Sequence, residues 1–345
     1  MKSMSPWVSV VIANWNGRHY LEKCLESLAA QTYPAVEVIV VDNGSTDGSA
    51  AWVAERFPSV RLIVNPDNRG FAAANNQGVR QSRGAYVATL NNDTWVEPDW
   101  LAGLVAALER DPRLGMAASH MLFADQPEVI NSTGICLDRC GISWDRHGGQ
   151  TARQAEAGPA EVFGPCAGAA LYRRELLEAV GLFDEDFFAY LEDVDLAWRA
   201  RWRGWKAIYV PSARVYHIHS ATSQEGSPFK TYWLSRNKIQ MIAKNYPMPY
   251  LLLFLPLIVF YEFVSLGHAL LSRRGSGAAR GRLAGLRSLP RAFKKRRALW
   301  LRPHVPPAEI FGSLEPAAAP WQVYGRYRHI DRRLVKKAAA GYGVK

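Results

Sequence analysis

Strand-like and helix-like segments alternate along the first hundred residues, and this alternation limits the possible folds more than any other feature. The apolar runs typical of buried strands are 7–13, 36–41, 60–64 and 85–90. A helix after the first run is predicted from apolar residues at i, i+3, i+4 and i+7, which are Leu21, Cys24, Leu25 and Leu28. Further helices are expected near 71–81 and after Pro98. The pattern predicts an α/β fold with a doubly wound, mostly parallel sheet.

Polar side chains follow the predicted strands, where parallel sheets bind their ligands. Asp42 suits the polar edge of a nucleotide, or it makes an Asx turn before a helix capped by Ser45 or Thr46. Asp93 suits a divalent cation on a diphosphate. No glycine-rich dinucleotide or P-loop pattern occurs at these turns, which disfavours redox and P-loop enzymes. The candidate ligand-binding residues are Asn14, Asn16, Asp42, Asn43, Asn68, Asn91, Asn92 and Asp93.

The second half of the chain has a less regular pattern. Several glycines interrupt 115–164, where loops or edge strands are expected. A buried segment is predicted at 167–174, a short helix at 175–180, a strand at 207–217 and a helix at 231–244. The four cysteines include no CxxC pair, so neither a disulfide framework nor a structural zinc site is expected.

An acidic cluster lies among aromatic residues just before that last strand. Glu192, Asp193 and Asp195 are expected to be partly desolvated, which raises a carboxyl pKa and suits a general base. Alternatively, they are the acidic first turn of a helix. If a helix begins near Asp195, Arg199 at i+4 can pair with it. His217 and His219 alternate along a strand and so could face one site, as metal ligands or phosphate contacts.

Taken in order, these segments resemble the motifs of inverting family-2 glycosyltransferases with a GT-A fold, especially the rhamnosyltransferase-like branch acting on lipid-linked sugars. The resemblance covers roughly residues 7–245. The motifs are Val10–Asn16 (VVIANWN), Val40–Asp47 (VVDNGSTD), Asn68–Phe71 (NRGF), Leu90–Thr94 (LNNDT), Gly181–Asp184 (GLFD), Phe187–Phe188, Glu192–Leu196 (EDVDL) and His217.

The resemblance implies a role for each matching residue. Asp42 would read the base of a nucleotide diphosphate sugar, and Asp193 would be the catalytic base, oriented by Asp195 and Arg199. Asp93 matches the last acid of the DXD motif and would hold Mg²⁺ or Mn²⁺. Asn91 and Asn92 stand where many members have acids, so His217 is a candidate second ligand. The other implied contacts are Glu192 at the catalytic acid cluster, Asn14, Asn16, Asn43 and Asn68 at the nucleotide, and Arg236 with Asn237 at the phosphates or the acceptor.

The expected reaction is inverting transfer of a sugar to a hydroxyl of a polyprenyl-diphosphate-linked saccharide, in bacterial cell-envelope polysaccharide synthesis. The first candidate donor is dTDP-L-rhamnose. One alternative is a sugar nucleotidyltransferase, which would need a glycine-rich basic loop that 14–18 does not contain. The other is a catalytically degenerate nucleotide-binding scaffold, for which Asn91 and Asn92 leave room.

Charge and hydropathy single out the C-terminal part. Of the 42 Lys and Arg residues, 11 lie in 273–302 without any acid, and the rest of the chain balances its 31 acids. Just before this run, 250–271 carries only Glu262 as a formal charge and is long enough to span a bilayer. Because nucleotide sugars are cytosolic, a span would place the basic run outside, against the positive-inside rule.

We therefore expect a re-entrant or interfacial segment, kinked at Pro256, with both flanks cytosolic. A true span and a buried soluble helix are the alternatives. A basic amphipathic helix on anionic lipid is predicted from Leu283, Leu286, Leu289 and Phe293, or else a solvated basic face. No nucleic-acid module accompanies the basic run, so no nucleic-acid partner is expected.

The expected organisation is a catalytic domain at 1–228, a connecting helix at 229–248, a membrane-associated segment at 249–272, and a basic helix and tail at 273–345. The protein would be monotopic on the cytoplasmic face of the inner or plasma membrane.

Overall fold

A mixed sheet forms the centre of the molecule in this computed structural model, which describes residues 6–155, 158–218, 227–271, 275–301, 305–319 and 321–322. Its strands are β1 (Val8–Asn14), β2 (Val36–Asp42), β3 (Arg61–Val64), β4 (Tyr86–Leu90), β5 (Thr94–Val96), β6 (Leu114–Phe123), β7 (Gln126–Ser132), β10 (Ala160–Val162), β11 (Ala169–Arg173) and β12 (Lys206–His217). A separate hairpin pairs β8 (Ile135–Leu137) with β9 (Ser143–Asp145). The main path runs β10-β12-β6-β11-β4-β1-β2-β3, with β5 on β12 and β7 on β6.

The helices cover both faces of the sheet and continue beyond it. They are α1 (Arg18–Ala29), α2 (Ser49–Arg56), α3 (Phe71–Gln81), α4 (Trp100–Leu108), α5 (Arg174–Val180), α6 (Glu192–Trp202), α7 (Pro228–Asn245), α8 (Met248–Leu271), α9 (Gly275–Arg287), α10 (Leu289–Trp300) and α11 (Pro307–Ser313). The buried residues of α1 are the four apolar residues that the spacing predicts. One hydrophobic cluster packs on each face, and the predicted α/β fold is confirmed.

The N-terminal half of the sheet is parallel, and its register brings the polar strand ends together. Strands β4, β1, β2 and β3 pair in parallel. Asn14 at the end of β1 is level with Asp42 at the end of β2, which is level with Val64. The side chains that follow these strands therefore share one edge, as the sequence predicts.

The expectation of loops or edge strands in 115–164 is wrong for its first part. All ten residues of β6 are buried, and the strand lies between β12 and β11. Gly115, one of the several glycines on which that expectation rested, serves close packing instead. A Cβ at Gly115 would lie 2.5 Å from the Leu176 side chain and 2.7 Å from Trp205.

The predicted cap of the second helix is also wrong. Helix α2 begins at Ser49, after Gly48 in the left-handed region with φ 81°. Ser45 instead accepts a hydrogen bond from the Asn16 backbone N–H at 2.9 Å, and the Thr46 N–H donates to Asn16 Oδ1 at 2.8 Å. The residues expected to cap the helix join two strand ends.

The C-terminal helices differ from expectation in two places. Helix α8 continues through Pro256 without a break. Leu251 and Phe254 before the proline, and Leu257 after it, pack against the same core cluster, and this packing offsets the lost backbone hydrogen bond. The predicted amphipathic helix is two helices, α9 and α10, which meet at Ser288 because Pro290 lies in the first turn of α10.

Candidate active site

A chain of buried hydrogen bonds links the ends of β4, β1 and β2. Asn92 Nδ2 donates to Asn14 Oδ1 at 2.7 Å, and Asn14 Nδ2 donates to Asp42 Oδ2 at 2.9 Å. The Ser45 N–H donates to the other Asp42 oxygen at 2.9 Å. All three of the predicted residues in this chain are buried. The network fixes the Asp42 carboxylate at the strand-end edge, where sequence reasoning placed it.

A second group of polar side chains lies at the same edge of the sheet, after the ends of β2 and β3. Asn43 Nδ2 donates to Asn68 Oδ1 at 2.9 Å and to the Gly70 carbonyl at 3.2 Å. Gly70 has φ 85°, and a Cβ there would lie 2.6 Å from Phe188. The missing side chain lets the segment before α6 lie directly against the strand-end residues.

Asp93 and His217 meet where β4 and β12 end. Asp93 Oδ1 lies 3.2 Å from His217 Nε2, and His217 Nδ1 lies 2.9 Å from Asn131 Oδ1. Asn91 Nδ2 is 3.4 Å from the same Nε2. With the proton assigned to Nδ1 by the Asn131 bond, the Nε2 lone pair faces a carboxylate oxygen, an arrangement that suits a shared cation or proton. His219, the second predicted histidine, lies outside the described residues.

Asp93 and His217 could bind a divalent cation whose remaining coordination positions are filled by a bound ligand and water. Among the described residues, no cluster of three or more His, Cys, Asp and Glu side chains could hold a metal. Asp93 and His217 offer two donors, and a hard cation commonly takes one or two protein ligands plus phosphate oxygens and waters. The donor set matches a metal carried with a diphosphate better than a permanently caged ion.

The predicted catalytic carboxylate lies at the start of α6, half-buried. Asp193 Oδ2 accepts from the Ala167 N–H at 3.1 Å, and Oδ1 accepts from the Val194 N–H at 2.8 Å. Burial raises the pKa of Asp193 to about 6, against the lowering effect of those two bonds, and the charge of Asp145 raises it further. At neutral pH the group is ionised and more basic than an ordinary aspartate, as a general base requires.

Glu192 beside it is a buried carboxyl with an unusual environment. Burial, reinforced by the charge of Asp193, raises the pKa of Glu192 well above its ordinary value. Its Oε2 has no hydrogen-bond partner within the described part of the chain. The raised pKa favours the neutral form of Glu192 over the charged form.

Asp195 and Arg199 hold α6 in place rather than contacting Asp193. Asp195 is fully buried, and its carboxylate accepts hydrogen bonds from Arg199 Nε, Lys244 Nζ and Asn245 Nδ2, each at 2.8 Å. Burial opposes its ionisation, but Lys244 and Arg199 outweigh this and lower the pKa of Asp195. Arg199 also donates to the carbonyls of residues 180 to 182. The predicted i, i+4 pair exists and orients the helix.

Helix α7 supplies several polar contacts that sequence reasoning missed. Lys244 also donates to Asp184 at 2.6 Å, and Asn237 donates to three carbonyls of the segment before α6. Arg236 donates to the Asp186 carbonyl at 2.6 Å and to Asn237 Oδ1 at 2.8 Å, so its described hydrogen bonds do not reach the strand-end residues. The signal available in the sequence was the recurrence of Asn237, Lys244 and Asn245 at helical spacing on the same face as the apolar Met241.

Comparison with known sequences identifies the same region. A sequence model described as Glycosyl transferase family 2 matches residues 9–181. An N-acetylglucosaminyl-diphospho-decaprenol L-rhamnosyltransferase of Mycobacterium tuberculosis is 33% identical over 251 residues, which are 65% of this chain and 80% of the relative. The O-antigen biosynthesis protein RfbC of Myxococcus xanthus is 29% identical over 249 residues, 67% of this chain and 19% of that protein.

Two solved structures share the fold. GalNAc-T7 with UDP, GalNAc and Mn²⁺ superposes with a TM-score of 0.59 at 19% identity, covering 72% of this chain and 49% of that one. The mannosyltransferase PcManGT from Pyrobaculum calidifontis, with GDP-Man and Mn²⁺, gives 0.50 at 23% identity, covering 90% and 80%. Both are glycosyltransferases of the GT-A fold.

Proposed function

The chain belongs to glycosyl transferase family 2, and on that premise we propose that it is an inverting, metal-dependent sugar transferase. Its donor would be a nucleotide diphosphate sugar, with dTDP-L-rhamnose as first candidate. Its acceptor would be a hydroxyl of a polyprenyl-diphosphate-linked saccharide. The name of the Mycobacterium tuberculosis relative supports both choices. The observation that carries the proposal is the Asp193 carboxylate, held by the Ala167 and Val194 N–H groups at the start of α6, together with the buried polar network at the strand ends.

The donor nucleotide would lie along the strand ends. Each Asp42 oxygen already accepts one hydrogen bond, from Asn14 or from Ser45, and keeps a second lone pair. A carboxylate fixed in this way can accept N–H groups of a base without reorganising. The amides of Asn43 and Asn68, bonded to each other beside Gly70, would border the same ligand.

Asp93 and His217 would hold the cation, Mg²⁺ or Mn²⁺, with Asn131 fixing the imidazole from behind. When bound, the ion neutralises charge on the departing diphosphate. Both solved neighbours contain Mn²⁺. With Asn91 and Asn92 in place of acids, the site offers fewer carboxylates than a DXD triplet with two acids.

Asp193 would accept the proton from the acceptor hydroxyl. The hydroxyl oxygen then forms a bond to the anomeric carbon while the bond from that carbon to the diphosphate oxygen breaks, which inverts the centre in one displacement. The Ala167 and Val194 N–H groups aim the carboxylate. Because no covalent intermediate forms, the scheme needs no second carboxylate as nucleophile.

The C-terminal helices would bind the membrane from one side. Helix α8 has 24 residues and is apolar enough to cross a bilayer by length and composition. One of its faces is docked on the protein, where Ile258 and Tyr261 are buried and Tyr250 stacks on Phe311. Near its middle, Glu262 forms ion pairs with Lys238 of α7 and Arg282 of α9, each with an N–O distance of 2.8 Å.

These two ion pairs support an in-plane helix rather than a span. A perpendicular α8 would carry Lys238, Arg282 and the packed helices α7 and α9 into hydrocarbon, at a high cost in desolvation. The opposite face of α8 is apolar and exposed, with Leu253 at 69% and Phe263 at 71%. We therefore propose a monotopic enzyme on the cytoplasmic face, with that outer face in the lipid interface.

Only part of the basic run is available for lipid. Arg282 pairs with Glu262, Arg291 and Lys295 pair with Asp186, and Arg296 donates to backbone carbonyls. Other basic residues are exposed beside the exposed apolar Leu283, Leu286 and Phe293; these are Arg280, Arg287, Lys294 and Arg297. At about 1 kcal/mol for each basic residue near an anionic surface, they would add to the apolar anchor.

One reaction tests the proposal. The purified protein in detergent is mixed with dTDP-L-rhamnose, N-acetylglucosaminyl-diphospho-polyprenol and Mn²⁺, and dTDP release and the anomeric configuration of the product are measured. We expect acceptor-dependent release, an inverted product and loss of activity with EDTA. Donor binding without turnover, across a panel of nucleotide sugars and lipid acceptors, would favour a nucleotide-binding scaffold instead.

A further inference from the structure

The backbone just before α6 is held in conformations that side chains rarely adopt. Phe188 has φ 60° and ψ −67°, Tyr190 has φ 70°, and Leu191 has φ 65° and ψ 4°. The Ala189 N–H donates to the Phe187 carbonyl at 2.6 Å, which closes a strained γ-turn around Phe188. Left-handed geometry is unfavourable for each of these non-glycine residues. Segment 187–191, named here the pre-helix turn, therefore needs support from outside itself.

Asn237 of α7 supplies that support. Its Nδ2 donates to the carbonyls of Phe187 at 2.8 Å, Ala189 at 2.9 Å and Tyr190 at 2.8 Å. Its Oδ1 accepts from Arg236 Nη1 at 2.8 Å, and the residue is fully buried. Since both amide hydrogens are engaged and water is excluded, the side chain has no donor left for a phosphate or an acceptor sugar.

The pre-helix turn connects the two halves of the proposed site. It ends at Leu191, directly before Glu192 and Asp193. At its other end the Phe188 carbonyl accepts from the Ala72 N–H at 3.1 Å, beside Gly70 and the nucleotide edge. A change in this turn would therefore move Asp193 relative to the strand-end residues, because the turn leads directly into α6 and also contacts Gly70 and Ala72.

We propose that Asn237 is a positioning residue that holds the strained pre-helix turn and thereby sets where α6 presents Asp193. The proposal rests on the proposed transferase function for its kinetic part. Strained backbone persists only where the surroundings over-determine it. Here one buried amide group donates to three carbonyls of the five-residue pre-helix turn, those of Phe187, Ala189 and Tyr190, and this concentration of bonds is what points to a clamp. It replaces the expectation that the Arg236–Asn237 pair meets phosphate or acceptor.

Four variants test whether Asn237 holds the turn in this way. Asn237→Ala removes the clamp. Asn75→Ala is the matched control, since Asn75 is also buried but donates to Phe71 of its own helix at 3.0 Å. Asn237→Ala/Leu191→Gly removes the clamp and also relieves part of the strain, because glycine adopts left-handed φ freely. Hydrogen exchange in peptides covering 185–195, donor KM and kcat are measured for each, with Leu191→Gly alone as reference.

For Asn237→Ala we expect faster exchange in 185–195, kcat lowered about tenfold or more and donor KM changed less than about threefold, because a misplaced base affects the chemical step. Asn75→Ala should leave exchange in this segment and kcat within about twofold of wild type. Adding the Leu191→Gly substitution to Asn237→Ala should raise kcat by roughly fivefold over that of Asn237→Ala alone. This factor is in keeping with the energetic cost of one left-handed residue.

Two outcomes overturn the clamp. One is a folded Asn237→Ala protein with unchanged exchange in 185–195, and the other is a raised donor KM with no recovery from Leu191→Gly, which would indicate a ligand contact. Failure of the proposed function is seen separately. In that case wild type releases no nucleotide with any acceptor, while the exchange measurement still reports on the clamp.

Discussion

Lys244 of α7 binds two buried carboxylates at once, and replacing it with methionine tests how α6 is held. Lys244 Nζ lies 2.6 Å from Asp184 Oδ2 and 2.8 Å from Asp195 Oδ2. The Lys244 side chain is 6% exposed, and those of Asp184 and Asp195 are 8% and 0%. Methionine keeps most of the side-chain volume, so the substitution removes charge with little cavity.

The expected loss follows from what remains around each carboxylate. Removing one partner of a buried pair costs about 3–5 kcal/mol. Asp195 keeps Arg199 and Asn245, and Asp184 keeps Lys295, so neither carboxylate is left uncompensated. We therefore expect a loss near the lower end, about 3 kcal/mol, or a fall in Tm of about 6 °C or more for a domain of this size.

The pH dependence provides a second check. Burial raises the pKa of Asp195 and Asp184, but Lys244 and the other cations outweigh it and hold both pKa values below the ordinary range. Their stabilisation is present above the unfolded pKa, about 4, and is lost as the pH falls. Without Lys244 the folded pKa values rise, so the deficit of the variant should be smaller at pH 4 than at pH 7.

The assay is urea unfolding of wild type, Lys244→Met and Lys206→Met, monitored by tryptophan fluorescence at pH 7 and pH 4. Lys206 pairs with Glu161 at 2.9 Å, but their side chains are 36% and 47% exposed, so this control should lose about 0–1 kcal/mol. Equal losses for the two variants at pH 7, or a Lys244→Met deficit that grows toward pH 4, would refute the buried-network account.

Three further predictions concern activity and location. The pH profile of kcat/KM, which reports ionisations of the free enzyme, should rise through an apparent pKa of about 6, where Asp193 becomes ionised, and a flat profile from pH 5 to 8 would contradict this. Asp93→Asn should raise the Mn²⁺ concentration needed for half-maximal activity, and an unchanged Mn²⁺ titration would remove Asp93 from the metal site. Leu253→Glu/Phe263→Glu on the exposed face of α8 should shift the protein from the membrane pellet to the supernatant on fractionation, whereas unchanged pelleting would place that face elsewhere.

Local patterns predicted the elements that contain most of the predicted site. The period of α1, the apolar runs of β1 to β4 and the polar residues after them depend on neighbours within a few positions. Parallel pairing then brings the ends of successive strands to one edge, so Asn14, Asp42 and Asn92 meet as predicted. Asp193 was recognisable because a carboxylate among aromatic residues is an unusual local pattern.

Contacts between segments that are distant in the sequence could not be predicted from local patterns. The glycines of 115–164 suggested loops, but Gly115 packs against Leu176 and Trp205, which lie 61 and 90 positions further along the chain. Pro256 suggested an interrupted helix, but the core cluster against which α8 packs on both sides of the proline is formed largely elsewhere in the chain. The bond from Asn237 to Phe187 joins residues 50 positions apart, so the contribution of α7 to the site emerged only from the structure.

The central claim is that Asp193 is the base of an inverting sugar transfer, and the most direct test compares wild type with Asp193→Asn. Asparagine keeps the size of the side chain but cannot accept the proton. We expect dTDP-L-rhamnose affinity, measured by calorimetry, to stay within about threefold, while kcat for transfer to the lipid-linked acceptor falls about 100-fold or more. Near-wild-type turnover in a folded Asp193→Asn protein would contradict the account.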